Sequence, residues 1–116
     1  MSYWVYLENE NGDPVEVGRH QEGGTHCVGG ISLAELNVTY NYGRVYNGLL
    51  GERTLKEALD GKVARDVIDV LEHAVRVLGI ERDEDYWKAT RGNAGHALSI
   101  LLGWAIANPE AVFRVS

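Results

Sequence analysis

The stretch "KVARDVIDVLEHAVRVLG", residues 62–79, constrains this chain more than any other. Val63, Val67, Val70, Leu71, Ala74, Val75 and Leu78 recur at the 3.6-residue period of an α-helix and form one apolar stripe. The opposite face pairs Arg65 with Asp69 and Glu72 with Arg76 at i,i+4 spacing, the pattern of a solvated surface. Gly79 supplies the stop. A helix with one wide apolar stripe must bury it against a second layer, so the rest of the chain has to provide that layer.

Strand patterns precede the helix. "YWVYLE" (3–8) is aromatic and β-branched, with apolar groups on both faces. "NENGDP" follows as a turn, through Asn11-Gly12 and Asp13-Pro14, and "VEV" (15–17) alternates as its hairpin partner. "EGGTHCVGG" (22–30) sets two diglycines around a short strand-like segment, Thr25 to Val28. "AELNVTYNYG" (34–43) has period two, with Leu36, Val38, Tyr40 and Tyr42 on the side a sheet buries. Glu35, Asn37, Thr39 and Asn41 occupy its other side.

Past Gly43 the period changes. "RVYNGLLG" reads as a short helix or turn, and "TLKEALDG" as a helix capped by Thr54 and Glu57 that stops at Gly61. A last helix, about 93–107, has Ala97, Leu98, Leu101, Leu102 and Ala105 inward and ends before Pro109. "AVFRV" (111–115) returns to the sheet. Strands, then helices, then one strand predict a single α+β domain over residues 1–116. Its mainly antiparallel sheet carries two to three helices on one face.

Length and charge narrow the function classes. A chain of 116 residues buries a core without metal or disulfide staples, and the single Cys27 rules out an internal disulfide. A net charge of −6 argues against binding a nucleic-acid duplex, which needs clustered Lys and Arg. The start "MSYWVYLENENG" has no secretory pattern, and "ALSILLGWAIA" (97–107) is too short to span a bilayer. The expected location is the cytoplasm, with no membrane partner, so "NVT" is not read as a glycosylation site.

No motif names a reaction. His20, His26, His73 and His96 lack zinc-ligand spacing, and Cys27 has no base beside it, because His26 points to the opposite face of a strand. Asp83, Glu84 and Asp85 read as a solvated charge run. No cofactor and no catalytic residue is expected. Recognition has better candidates. Asn is depleted in strands, so Asn37, Thr39 and Asn41 read as a hydrogen-bonding row for a ligand. Gly23, Gly24 and Thr25 offer backbone N–H groups in a glycine-rich loop. "ATRGNAGHA" offers a helix N-terminus, with Thr90 or Asn93 as cap and Arg91 beside it. Arg44 adds a second cation. Tyr40 and Trp104 read as core, whereas Tyr42, Tyr86 and Trp87 flank polar loops and can stack on a ring.

Through "EGGTHCVGG", "AELNVTYNYG" and "DEDYWKATRGNAGHALSILLGWA", nearly the whole chain resembles a family of small proteins from tailed phages and prophages. That family more often has proline at the position of Arg91. The resemblance implies a phage origin and action inside the host cell, and it supplies no reaction. The expected function is therefore counter-defence by binding: sequestering a small nucleotide-derived immune signal, a cyclic oligonucleotide or an ADP-ribose derivative. A homo-oligomer is expected by analogy. The alternatives are a protein–protein inhibitor of a host defence complex, or a small nucleotide-acting enzyme that would use Glu35 or Cys27.

Overall fold

The computed structural model describes residues 2–20, 31–51, 54–85 and 88–116. It is an α+β fold whose three-stranded antiparallel sheet is centred on β1 (Ser2–Glu8). β4 (Glu35–Thr39) pairs along one edge of β1, with Val5 opposite Leu36 and Tyr3 opposite Val38. β5 (Val112–Val115) pairs along the other, with Val5 opposite Val115 and Leu7 opposite Phe113. Alternation along the strands sends Val5, Leu7, Leu36, Val38, Phe113 and Val115 into the core. The reverse face carries Trp4, Tyr6 and Arg114, with Arg114 paired to Glu8 at 3.4 Å.

β2 (Glu16–His20) and β3 (Ile31–Leu33) form a separate antiparallel pair. The sequence predicts 15–17 as the hairpin partner of β1, and the structure corrects this. Both edges of β1 are already taken by β4 and β5, so no ladder position remains for β2. Contact is reduced to a bridge, Glu8 with Pro14, and a three-way junction. There the Leu7 amide donates to Ala34, the Ala34 amide to Val15, and the Val15 amide to Leu7, at 2.9–3.1 Å. The turn itself forms as expected: the Asn9 side-chain oxygen accepts from the Asn11 and Asp13 amides, and Gly12 sits at φ 81°.

A 3₁₀ turn (Tyr40–Tyr42) leads into α1 (Gly43–Tyr46). α2 (Leu55–Leu59) has the predicted capping box. The Thr54 hydroxyl accepts from the Glu57 amide at 3.2 Å, and the Glu57 carboxylate accepts from the Thr54 amide at 3.0 Å. α3 (Ala64–Leu78) buries Val67, Leu71, Ala74 and Leu78, keeps the Glu72–Arg76 pair outside at 2.6 Å, and ends at Gly79 with φ 78°. The outer edge of β5 is covered by the chain entering α3. Its Phe113 and Val115 amides donate to the Lys62 carbonyl and the Asp60 carboxylate.

α4 (Arg91–Ala107) packs against α3 through backbone rather than side chains at its first turns. A methyl group on Gly95 would overlap the Gly79 carbonyl, and one on Gly92 would overlap the Glu81 carbonyl. Close approach brings Ala94, Ala97, Leu98 and Leu101 into one core cluster with the sheet. Among the described residues, no helix is long and apolar enough to cross a membrane.

This contact makes a directional prediction. Helix propensity alone favours Gly95→Ala by about 1 kcal/mol. Overlap with the Gly79 carbonyl instead makes it destabilising by about 3 kcal/mol in urea unfolding. A variant as stable as the parent would show that the two helices do not meet there.

Candidate functional site

The polar row of β4 is shorter than its sequence period. Strand geometry stops at Thr39, because the Thr39 hydroxyl accepts the Asn41 amide at 3.2 Å and starts the 3₁₀ turn. Past that cap the period-two assignment fails. Tyr40, expected in the core, is 43% exposed and meets Tyr3 edge-on at a centroid distance of 4.5 Å. Tyr42, expected beside a polar loop and open for stacking, is buried at 2% exposure and packs edge-on against Tyr46 at 6.2 Å. Asn41 leaves the row and is exposed.

The rest of the row lies across from Ser2, Trp4 and Tyr6 on β1. Asn37 is 9% exposed; its Nδ2 donates to the Ser2 hydroxyl at 2.7 Å, and its Oδ1 is buried without a donor among the described residues. Thr39 is buried as well. These two polar groups lie within the molecule's surface layer rather than lining an open cavity. Glu35 is half-buried beside Tyr6.

At the start of α4 the Thr90 hydroxyl accepts the Asn93 amide at 3.0 Å, so Thr90 is the cap and Asn93 is not. Asn93 instead fastens the preceding loop. Its Oδ1 accepts from the Asp83 amide at 2.8 Å, and its Nδ2 donates to the Asp85 and Lys88 carbonyls, both at 2.9 Å. Both amide protons are thereby used, which leaves no donor for a ligand. Arg91 donates to the Val77 carbonyl at 2.8 Å, closing the end of α3. The buried Tyr46 hydroxyl donates to the Ala94 carbonyl at 3.0 Å, and burial pushes its pKa well above 10.0. Burial, and then the positive charge of Arg82, lower the pKa of His96 below 6.5. Tyr42 lies near Arg82 and Asp85 as well, its own pKa raised chiefly by burial.

Arg44 has a different setting. It is exposed on α1; its carbonyl accepts the Asn47 amide at 3.4 Å, and its guanidinium has no ion pair or hydrogen bond among the described residues. Its side chain lines a cleft of about 310 Å³ between α1 and α2, with Tyr3, Asn47, Thr54 and Glu57. Tyr3 brings an aromatic ring already packed edge-on against Tyr40; burial, then Tyr40 and Glu57, raise its hydroxyl pKa. One guanidinium, one carboxylate, a tyrosine ring, a hydroxyl and an amide line the cleft. Residues 3, 44, 47 and 54 are separated in the chain, so no local pattern groups them. The nearest sequence signal is the cation after "YNYG".

The predicted site residues are therefore not one constellation. Asn37 and Thr39 belong to the sheet, Asn41, Tyr42 and Arg44 to the turn and helix after it, and Arg91 and Asn93 to the start of α4. Gly23, Gly24, Thr25, Tyr86 and Trp87 lie outside the described residues, as does the strand-like segment 25–28. Among the described residues, no group of three or more His, Cys, Asp and Glu could hold a metal ion.

Two asparagine substitutions separate structural from dispensable polarity. Asn93→Ala breaks three side-chain bonds to backbone and is expected to lower stability by about 3 kcal/mol. Asn37→Ala loses one bond but also removes an unsatisfied buried oxygen, so its cost stays below about 1 kcal/mol. Chemical denaturation of both variants checks the order, and the reverse order would contradict it. Comparison with protein families, with curated proteins and with solved structures finds no match to this chain.

Proposed function

We propose that this chain acts by binding a small nucleotide-derived ligand in the Arg44 cleft, and that it works by sequestration rather than by a reaction. The supporting observation is the Arg44 guanidinium, which has no partner among the described residues, at a cleft that also presents Tyr3, Asn47, Thr54 and the Glu57 carboxylate. Arg44 meets a phosphate through charge-assisted hydrogen bonds. The edge-on pair Tyr3–Tyr40 gives a base an aromatic neighbour, and the Thr54 hydroxyl and Asn47 amide suit ribose hydroxyls. A volume of about 310 Å³ is at the lower end of small-molecule sites, which favours a compact ligand or one held partly outside the cleft.

The setting follows from the phage resemblance. In the cytoplasm of an infected host, a binder of this kind lowers the free concentration of a nucleotide immune signal. Cyclic oligonucleotides and ADP-ribose derivatives combine the phosphate, ribose and base that the cleft residues suit. Stoichiometric capture needs no catalytic group, in keeping with a sequence that presents no nucleophile–base pair.

Thermal denaturation with cyclic dinucleotides and ADP-ribose isomers tests this reading, alongside analysis of small molecules released when the purified protein is denatured. A ligand present at about a hundred times its Kd stabilises by roughly 2.7 kcal/mol and raises Tm on the order of 10 °C. Arg44→Ala is expected to keep the Tm of the free protein and weaken binding by about tenfold or more. No nucleotide released and no shift with any of these compounds would overturn the proposal.

A further inference from the structure

The Arg44 cleft holds a charge that phosphate binding does not use. Glu57 lines it together with Arg44, Tyr3, Asn47 and Thr54. A carboxylate repels phosphate, so a cleft for phosphate alone has no use for one. The cap of α2 sets its position: Oε1 accepts the Thr54 amide at 3.0 Å, while the Glu57 amide donates to the Thr54 hydroxyl at 3.2 Å. The Arg44 guanidinium lines the same cleft and makes no ion pair with this carboxylate. Tyr3 lies near enough for Glu57 to raise its hydroxyl pKa, after burial and Tyr40. The walls thus present a cation, an anion and a tyrosine ring. A carboxylate accepts hydrogen bonds and donates none, so a ligand that satisfies both charges brings donors as well as an anionic group.

We propose that the base of the ligand is guanine, read by Glu57 through the two adjacent donors of its Watson–Crick edge while Arg44 takes the phosphate. This rests on the reading of the cleft as a nucleotide site. Guanine N1–H and its N2 amino group lie side by side and match the two oxygens of a carboxylate, in the bidentate manner of an arginine–carboxylate pair. Each carboxylate oxygen has two lone pairs, so the one that caps α2 still accepts a second donor. Adenine and cytosine set a ring-nitrogen acceptor beside their amino group, and its lone pair would face the carboxylate. Hypoxanthine and uracil offer a ring N–H alone. Cyclic oligonucleotides include guanine members, whereas ADP-ribose offers only adenine, so the former suit the cleft better. A volume of about 310 Å³ suits one nucleotide of such a ring.

GMP, IMP and AMP share phosphate and ribose and differ only in the base, which makes them the direct probes. NMR titration of the full chain with up to about 10 mM of each reads even weak binding. Affinity is expected to fall from GMP to IMP to AMP, by about tenfold overall, the lower range for a bidentate base contact because Glu57 is exposed. Cyclic di-GMP should outbind cyclic di-AMP in the same way. Glutamine also completes a capping box, so Glu57→Gln should unfold at the urea midpoint of the parent. It replaces one acceptor with an N–H donor and should bring GMP and AMP within about twofold of each other. Equal affinity of the parent for GMP and AMP, or a guanine preference that survives Glu57→Gln, would overturn the inference and leave the cleft a nucleotide site. No binding of any of these compounds would overturn the nucleotide reading itself, and guanine recognition with it.

Discussion

Two backbone carbonyls, those of Gly79 and Glu81, lie where side chains of α4 would otherwise project. Because Gly95 and Gly92 leave that space empty, α4 approaches the end of α3 at backbone distance. Much of the molecule follows from this approach. It places the Ala94 carbonyl where the buried Tyr46 hydroxyl can reach it, which ties α1 to α4. Asn93 is set facing the loop between the helices, where its amide gathers Asp83, Asp85 and Lys88. Arg91 then closes the last turn of α3 through the Val77 carbonyl. Polar groups that sequence reasoning assigns to a ligand are thus engaged in holding two helices and their connection together.

Features governed by short-range rules were legible in the chain. The stripe of α3, its glycine stop, the Thr54–Glu57 capping box and the alternating strand pattern of 112–115 each depend on residues within a turn or a strand of one another. Long-range competition was not legible. Whether β2 pairs with β1 depends on who else claims the edges of β1, and β4 and β5 claim both. The break at Thr39 was harder still. A threonine within an alternating run can continue a strand or cap a turn, and the choice exchanges the exposures of Tyr40 and Tyr42. Asn93 looks like a helix cap because its three loop partners are invisible until the loop folds back.

The same limit applies to the candidate site. Arg44 is visible in sequence as a cation near a turn, but its neighbours Tyr3 and Thr54 come from β1 and from the cap of α2. What distinguishes Arg44 from Arg91 is only seen in three dimensions: the Arg91 guanidinium is committed to a carbonyl, and that of Arg44 to no group among the described residues. On that difference rests the reading of the α1–α2 corner as the place where an anionic ligand is received.

The dependence of the fold on the α3–α4 contact can be measured directly by native-state hydrogen exchange at the Asp83 and Asn93 amides. Both donate to side chains, Asp83 to Asn93 and Asn93 to Thr90, and neither lies inside a helical hydrogen-bond ladder. Amides in a loop and a first helical turn ordinarily exchange through small local openings. If the junction is the constraint on which the helical layer depends, both amides exchange only with global unfolding, alongside the central amides of α3. Fast exchange at either, while α3 stays protected, would contradict the account.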